Sequence, residues 1–285
     1  MTRFIAQISF YEIIYDNRKD MKTNFVISSV LLALSTLICA QDLDFDELTK
    51  QSLRTEVYEP VPPVVTPGKT SAAAPSDAII LFNGDNLDAW TSEDPSKPAA
   101  WKVENGIITV DKSVGGIMTR QKFTDYQLHL EYRIPENISG EGQARGNSGV
   151  FLAYLGKKDG VFEIGYEVQI LDNYNNPTYV NGQAGAVYKQ VIPLANACRK
   201  PGEWQTYDIV WNAPRFKEDG TLSSPAYVTV IHNGVLVQNH AELKGQTLWI
   251  GEPFYNSHGA APILLQAHGD PSEPISYRNI WLRPL

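Results

Sequence analysis

Cysteine is nearly absent from this sequence, and so are long apolar runs beyond residue 40. The 285 residues include two cysteines. Cys39 lies in a segment that reads as removable, which leaves Cys198 alone. A lone cysteine excludes an internal disulfide framework, so stability must come from a packed core. Cys198 itself reads as a small packed residue rather than a nucleophile. Positive charge is also short: 24 Lys and Arg stand against 32 Asp and Glu, a net charge of −8. Such a surface excludes nucleic acid and anionic lipid as partners. No long stretch has helical periodicity, and no uncharged run is long enough for a membrane span. Cys-x-x-Cys, His-x-Glu-x-His, Gly-x-Ser-x-Gly and the phosphate-loop pattern are all missing, which removes the best-marked metal, serine-hydrolase and nucleotide sites.

What is present begins with an export signal. Lys22 supplies a positive start, Phe25 to Ile38 form a short apolar run, and Ala40 precedes a plausible cleavage point at Gln41. Met21 reads as the start of this signal, so residues 1–20 are expected to be an over-extension. Bulky Ile38 argues against lipid attachment at Cys39. The protein is therefore expected to be exported, to the periplasm or beyond. Residues 41–76 are expected to be an acidic and Pro-rich arm or linker. Its first ten residues could form a helical turn, and the prolines from Pro60 to Pro75 prevent a helix or central strand from running through it.

From residue 77 to 285 the chain reads as strand, turn, strand. Asn105-Gly106 joins Trp101–Glu104 to Ile107–Val110, and Asn233-Gly234 joins Tyr227–Ile231 to Val235–Val237. Two β-prone runs across Asn-Gly are a strong hairpin signal. Many short strands with frequent turns predict an all-β sandwich or jelly roll. His232 and His240 flank the second hairpin and read as surface residues.

Side-chain alternation sorts residues onto faces. Leu128, Leu130, Tyr132 and Ile134 share one face, while Gln127, His129, Glu131 and Arg133 share the other. Glu167 and Gln169 lie opposite Tyr166, Val168 and Ile170. Gln266 and His268 share a face. If these strands are neighbours, the polar rows merge into one surface bearing Glu131, Arg133, Glu167, Gln169, Gln266 and His268. An ordinary solvated sheet face is the plainer reading of any single row. Jointly, the Glu, Gln, His and Arg content suits sugar hydroxyls or a metal. Tyr154, Tyr174, Tyr179, Tyr188 and Trp249 could stack on sugar C–H faces, although most aromatics in a sandwich are core.

Ordered motifs extend along this region: Leu81-Phe82-Asn83-Gly84-Asp85-Asn86-Leu87-Asp88-Ala89-Trp90, Gly146-Asn147-Ser148-Gly149, Tyr166-Glu167-Val168-Gln169-Ile170, Gly185-Ala186-Val187-Tyr188, Lys200-Pro201-Gly202-Glu203-Trp204, Leu265-Gln266-Ala267-His268-Gly269 and Tyr277-Arg278-Asn279-Ile280-Trp281. In this order they resemble the 3-keto-disaccharide hydrolase family over residues 77–285. The resemblance implies a concanavalin-like jelly-roll sandwich of two antiparallel sheets with a concave ligand face. It also implies cleavage of glycosides already oxidised at C3 of the sugar. One position departs: Ala267 stands where the family commonly has Asp in Gln-Asp-His-Gly. Asp270 and Glu273 are the nearby acids that could substitute.

A 3-keto group acidifies the C2 hydrogen, so a base can form an enolate that expels the C1 substituent; water then adds to the enone. Such a site needs a base, an enolate stabiliser and an acid. His268 is the expected base, with Glu167 as alternative. Arg133, or a metal held by Glu131 or Glu167, is the expected enolate stabiliser. Glu131, Asn147, Gln169, Gln266 and Tyr188 are the expected substrate contacts. No cofactor is required by the spacing; a divalent ion on Glu131, Glu167 and His268 is the metal site these residues allow. The expected partner is a small carbohydrate. A non-catalytic lectin using the same face is the alternative reading.

Overall fold

A computed structural model describes residues 44–159 and 162–285. The expected signal segment lies outside them. Among the described residues no helix is long and apolar enough to cross a membrane. The chain divides into two units after Pro63. In the first, helix α1 (Phe45–Ser52) is capped by Asp44, whose Oδ1 accepts from the amides of Asp46 and Glu47. Asp46 and Glu47 in its first turn complement the helix dipole.

The second unit is built from short strands: β1 (Ile79–Phe82), β2 (Trp90–Ser92), β3 (Lys102–Glu104), β4 (Ile107–Thr109), β5 (Ile117–Thr119), β6 (Tyr126–Arg133), β7 (Ser148–Phe151), β8 (Gly156–Lys158) and β9 (Phe162–Ile164). There follow β10 (Glu167–Ile170), β11 (Trp204–Asn212), β12 (Arg215–Phe216), β13 (Leu222–Ser224), β14 (Tyr227–His232), β15 (Val235–Glu242), β16 (Leu264–Leu265) and β17 (Ser276–Pro284). One sheet runs β15-β14-β11-β6-β17-β4-β3, with β1 also on β17; the other runs β10-β7-β16-β5-β2. Every pairing in both is antiparallel. This is the two-sheet sandwich expected from the sequence. Both Asn-Gly turns form as their chemistry requires: φ is 52° and 76° at Asn105 and Gly106, and 52° and 82° at Asn233 and Gly234. Positive φ at both central residues matches the turn to the right-handed twist of its strands.

Register decides which side chains meet. Across the five-stranded sheet, Val168, Val150 and Leu265 are direct partners in turn, and Leu265 pairs Ile117. These four enter the common core with Leu128, Leu130, Tyr207, Ile209, Val228 and Val230 of the larger sheet. Hydrogen bonds stitch the layers: Tyr207 Oη donates to the Gln169 carbonyl at 2.7 Å, and Ser148 Oγ lies 2.7 Å from Tyr277 Oη. His232 corrects its surface expectation. It is fully buried, with Nε2 3.0 Å from both Tyr132 Oη and Gln205 Oε1. Burial pushes its pKa down to about 3.

Glu131 and Arg133 need a larger correction. Strand β6 lies between β11 and β17, so its polar row faces outward from the larger sheet, on the far side of the core from β10. There Glu131 binds Arg278 (Nε–Oε2 2.6 Å) and accepts from Asn279 Nδ2 at 2.9 Å. His129 Nδ1 sits 2.7 Å from Asp208 Oδ1, and its ring stacks on Trp281. Arg133 and Arg278 both lie on the Trp204 ring. The end of the Pro-rich arm packs on this face, where the Ala72 carbonyl accepts from Asn279 Nδ2 and Trp281 Nε1. Asn279 and Trp281 therefore hold the end of the arm to the sheet.

Burial alone would raise the Glu131 carboxyl, but hydrogen bonds from His129, Asn279 and Arg278 outweigh it and hold it at about 2. That stabilisation is present above the ordinary value near 4.5 and is lost as pH falls toward 2. Glu131→Gln is expected to cost about 1–3 kcal/mol at pH 7. The loss should shrink in acid. Turnover per folded molecule should change less than about twofold, because nothing of Glu131 reaches the site described next. Thermal melts at pH 7 and pH 3 with an activity assay check both parts.

Candidate active site

The outward face of the smaller sheet carries a different set of residues. Glu167 pairs with Phe151, Phe151 with Leu264, and Leu264 with Met118. Directly paired residues point to one face. Phe151, Leu264 and Met118 accordingly form a small apolar cluster with Tyr154, separate from the main core. In the next row Gln169 pairs with Gly149, whose carbonyl accepts from the Gln266 amide at 3.0 Å. Over these rows lies a cavity of ≈ 580 Å³, lined among others by Asn147, Glu167, Gln169, Tyr188, Gln266 and His268. Six expected site residues thus converge, although well-separated sequence segments supply them. Glu131 and Arg133 do not.

Gly149 makes the space. A Cβ there would fall on Glu167 Oε1 and lie 3.0 Å from its Cδ. The Gly-Asn-Ser-Gly run is therefore more than a turn: its last glycine is the floor under the Glu167 carboxyl.

Glu167 is 5% exposed and has no cation beside it among the described residues. Burial, and then the nearby Glu163 carboxylate, push it up to about 8. The amides beside it form a connected set. Gln143 donates through Nε2 to Thr178 Oγ1 and the Gly182 carbonyl, and Asn147 Nδ2 donates to the Gln143 carbonyl. The Gln169 amide lies between the amide oxygens of Gln143 and Asn147, 3.1 and 3.2 Å away, and Glu167 Oε1 with the Ser148 carbonyl, 3.1 and 3.2 Å away; its nitrogen serves one pair or the other. Turned toward Glu167, it donates to both Oε1 and the Ser148 carbonyl.

His268 is 38% exposed at the side chain, and its Nδ1 lies 3.0 Å from Asp270 Oδ2. Asp270 is itself 2% exposed at the side chain and is held by Lys112 at 3.1 Å and by Ser272 through both Oγ and the amide. Burial alone would raise the Asp270 carboxyl, but the bonds from His268, Ser272 and Lys112 outweigh it and hold it at about 2. Lys112 also donates to the Asp270 and Ser272 carbonyls, pinning the loop. No hydrogen bond to a described residue occupies Nε2, which leaves that nitrogen for a ligand. Asp270 thus stands against the histidine from two residues downstream, while Ala267 cannot. Glu273 does not take this part; it accepts from the Ser139 amide and hydroxyl.

The metal set allowed by the sequence falls apart, because Glu131 is on the other sheet. Among the described residues no three of His, Cys, Asp and Glu converge as a metal-binding group.

The geometry also brings in residues that the sequence did not single out: Gln143, Phe162, Glu163 and Thr247. Gln143 lies in a single 3₁₀ turn (Gly142–Ala144), where neither strand nor helix periodicity exists to mark it. Of the aromatics considered for sugar contact, Tyr179, Tyr188 and Trp249 line the cavity; Tyr154 and Tyr174 do not.

The profile of the 3-keto-alpha-glucoside-1,2-lyase-like domain family matches residues 77–283. The chain belongs to that family. A solved "putative glycosyl hydrolase" from Parabacteroides distasonis ATCC 8503 is 57% identical, with TM-score 0.74, covering 82% of this chain and 96% of that one. Two further structures under the same description and from the same organism, at 19% and 23% identity, share the fold with TM-scores of 0.52 and 0.51. They cover 73% of this chain and 94% and 99% of their own. No curated protein matches the chain. Family membership agrees with the resemblance carried by the ordered motifs, and the matched span contains every lining residue of the cavity.

Proposed function

We propose that this chain cleaves 3-keto-glycosides by elimination across C1 and C2 followed by hydration. The observation that carries this reading is one cavity holding an Asp-backed histidine and a carboxyl that keeps its proton near neutral pH. His268 Nε2 takes the C2 proton that the 3-keto group has acidified, and Asp270 stabilises the imidazolium that forms. The enolate re-forms the ketone as the C1–O bond breaks, giving a 1,2-unsaturated 3-keto sugar. Glu167 gives its proton to the departing oxygen, so the aglycone leaves as a neutral alcohol. Water then adds at C1 and a proton returns to C2, making the sum a hydrolysis. The second amide N–H of Asn147 and of Gln266, the first being bound to the Gln143 carbonyl and to Glu163, are the donors available for the C3 oxygen and the ring hydroxyls. Arg133 has no part in this, given its place on the other sheet. The family and the 57% identical glycosyl hydrolase relative support a carbohydrate substrate.

A matched pair of substrates tests the reading. A 3-keto-glucoside should yield free aglycone and 3-keto-glucose, with deuterium from D₂O incorporated at C2. The unoxidised glucoside should not react, because its C2 hydrogen is not acidic. Equal turnover of both would replace this mechanism by an ordinary two-carboxylate hydrolysis. Binding of both without turnover would make the domain a lectin. We propose further that the chain is exported; N-terminal sequencing of protein recovered from the periplasm or medium should begin at Gln41.

A further inference from the structure

The cavity changes character from floor to mouth. Its floor is made of amides, those of Gln143, Asn147, Gln169 and Gln266, and its mouth of rings. Trp249 is 53% exposed, Tyr179 42% and Phe162 39%. The Phe162 and Trp249 rings lie 5.0 Å apart. A second basin of ≈ 400 Å³ is also lined by Tyr179, Tyr188 and Trp249, so these rings border both.

These rings are fixed to the segments that flank Glu167. The Tyr188 amide donates to the Glu167 carbonyl at 3.1 Å. The Glu167 amide donates to Thr247 Oγ1 at 3.1 Å, two residues before Trp249. Lys189 Nζ donates to the Trp249 carbonyl at 2.7 Å, tying the tryptophan segment to that of Tyr188. Trp249 has the Phe162 ring as a neighbour yet stays 53% exposed, so much of its apolar face is left to water.

We infer that the mouth is the leaving-group subsite, that Trp249 determines its specificity, and that it takes a flat aryl aglycone. The inference rests on the reaction proposed above, in which Glu167 protonates the departing oxygen. The leaving group must then lie beside Glu167, and the surfaces offered there beyond the floor are rings. Hydroxyl partners are concentrated in the floor, which suits one sugar ring. A planar aromatic group gains most from an exposed indole, since ring stacking adds to area burial.

Binding to unoxidised ligands tests the subsite without requiring turnover. The full chain is titrated with phenyl glucoside, methyl glucoside and a glucosyl disaccharide, in wild type and Trp249→Ala. Phenyl glucoside should bind about three- to tenfold more tightly than methyl glucoside. That advantage should vanish in Trp249→Ala, while methyl glucoside affinity stays within about twofold. An advantage that survives in Trp249→Ala, no advantage in wild type, or tighter binding of the disaccharide would each overturn the inference. With 3-keto substrates, Trp249→Ala should lower kcat/KM for the phenyl compound by a similar factor and spare the methyl compound. A Trp249-dependent phenyl preference without any 3-keto turnover would leave this subsite standing and remove the proposed reaction. Turnover insensitive to Trp249 would do the reverse.

Discussion

Replacing His268 with alanine is expected to lower kcat for a 3-keto-glucoside by about 10²–10⁴-fold, the usual worth of a positioned base. The side chain is partly exposed and belongs to neither apolar cluster, so the melting temperature should barely move. Asp270→Asn separates orientation from proton transfer. It keeps the shape of the side chain but removes the charge that backs Nδ1 and binds Lys112 at 3.1 Å. We expect a smaller loss of kcat than for His268→Ala, with little change in KM, together with a lower melting temperature as the loop loosens. Exchange of the C2 hydrogen with D₂O should fall in parallel with turnover in both variants. Wild-type turnover in His268→Ala would take the base role away from this residue.

Glu167→Gln is expected to do two opposite things. Activity should fall by about 10²–10³-fold, because Gln cannot protonate the leaving oxygen. The loss should be smallest for substrates with acidic leaving groups, which depart without help. Stability should rise. The folded carboxyl titrates at about 8 and an unfolded one near 4.5, so above about pH 4.5 the unfolded chain releases a proton that the folded protein retains. Folding stability therefore falls as pH climbs from about 4.5 to 8, then levels off. The glutamine side chain of the variant has no proton to lose. The gain should be absent below pH 4, grow through neutrality, and reach about 2–4 kcal/mol above pH 8, less whatever water access relieves. The wild-type rate should fall as pH rises through about 8, where the acid is lost. A rate that instead climbs through that range would make Glu167 the base. Melting curves of wild type and variant from pH 4 to 9 check the stability half.

These two residues also show how far a sequence can be read. Alternation put Glu167 and Gln169 on one strand face, and the structure keeps them there because a period of two is a local property of extended backbone. Asn-Gly turns were equally legible, since the positive φ they need is a matter of individual residues. Glu131 was misplaced by the same reasoning. Its strand has the same alternation as that of Glu167, but periodicity says nothing about which sheet a strand joins. Sequence neighbours carry as little information here: β6 and β7 are consecutive strands, yet they belong to different sheets. Gln143 and Thr247 left no trace because loops have no period, and Trp249 was visible only as an aromatic in search of a place.

By itself, the sequence determined an all-β sandwich, its two Asn-Gly hairpins, the polar and apolar faces of its strands and, through the order of its motifs, its family. Local backbone preference and side-chain period suffice for the structural features, and neither depends on distant partners. Only the tertiary structure decided that Asn147, Glu167, Gln169 and His268 share a cavity while Glu131 and Arg133 lie on the outward face of the other sheet, against Arg278 and Trp204. It alone put Asp270 rather than Glu273 against His268, and buried Glu167 so that its carboxyl is pushed up to about 8. Protonation state and convergence are set by burial and by neighbours brought from far along the chain, and no local pattern encodes them.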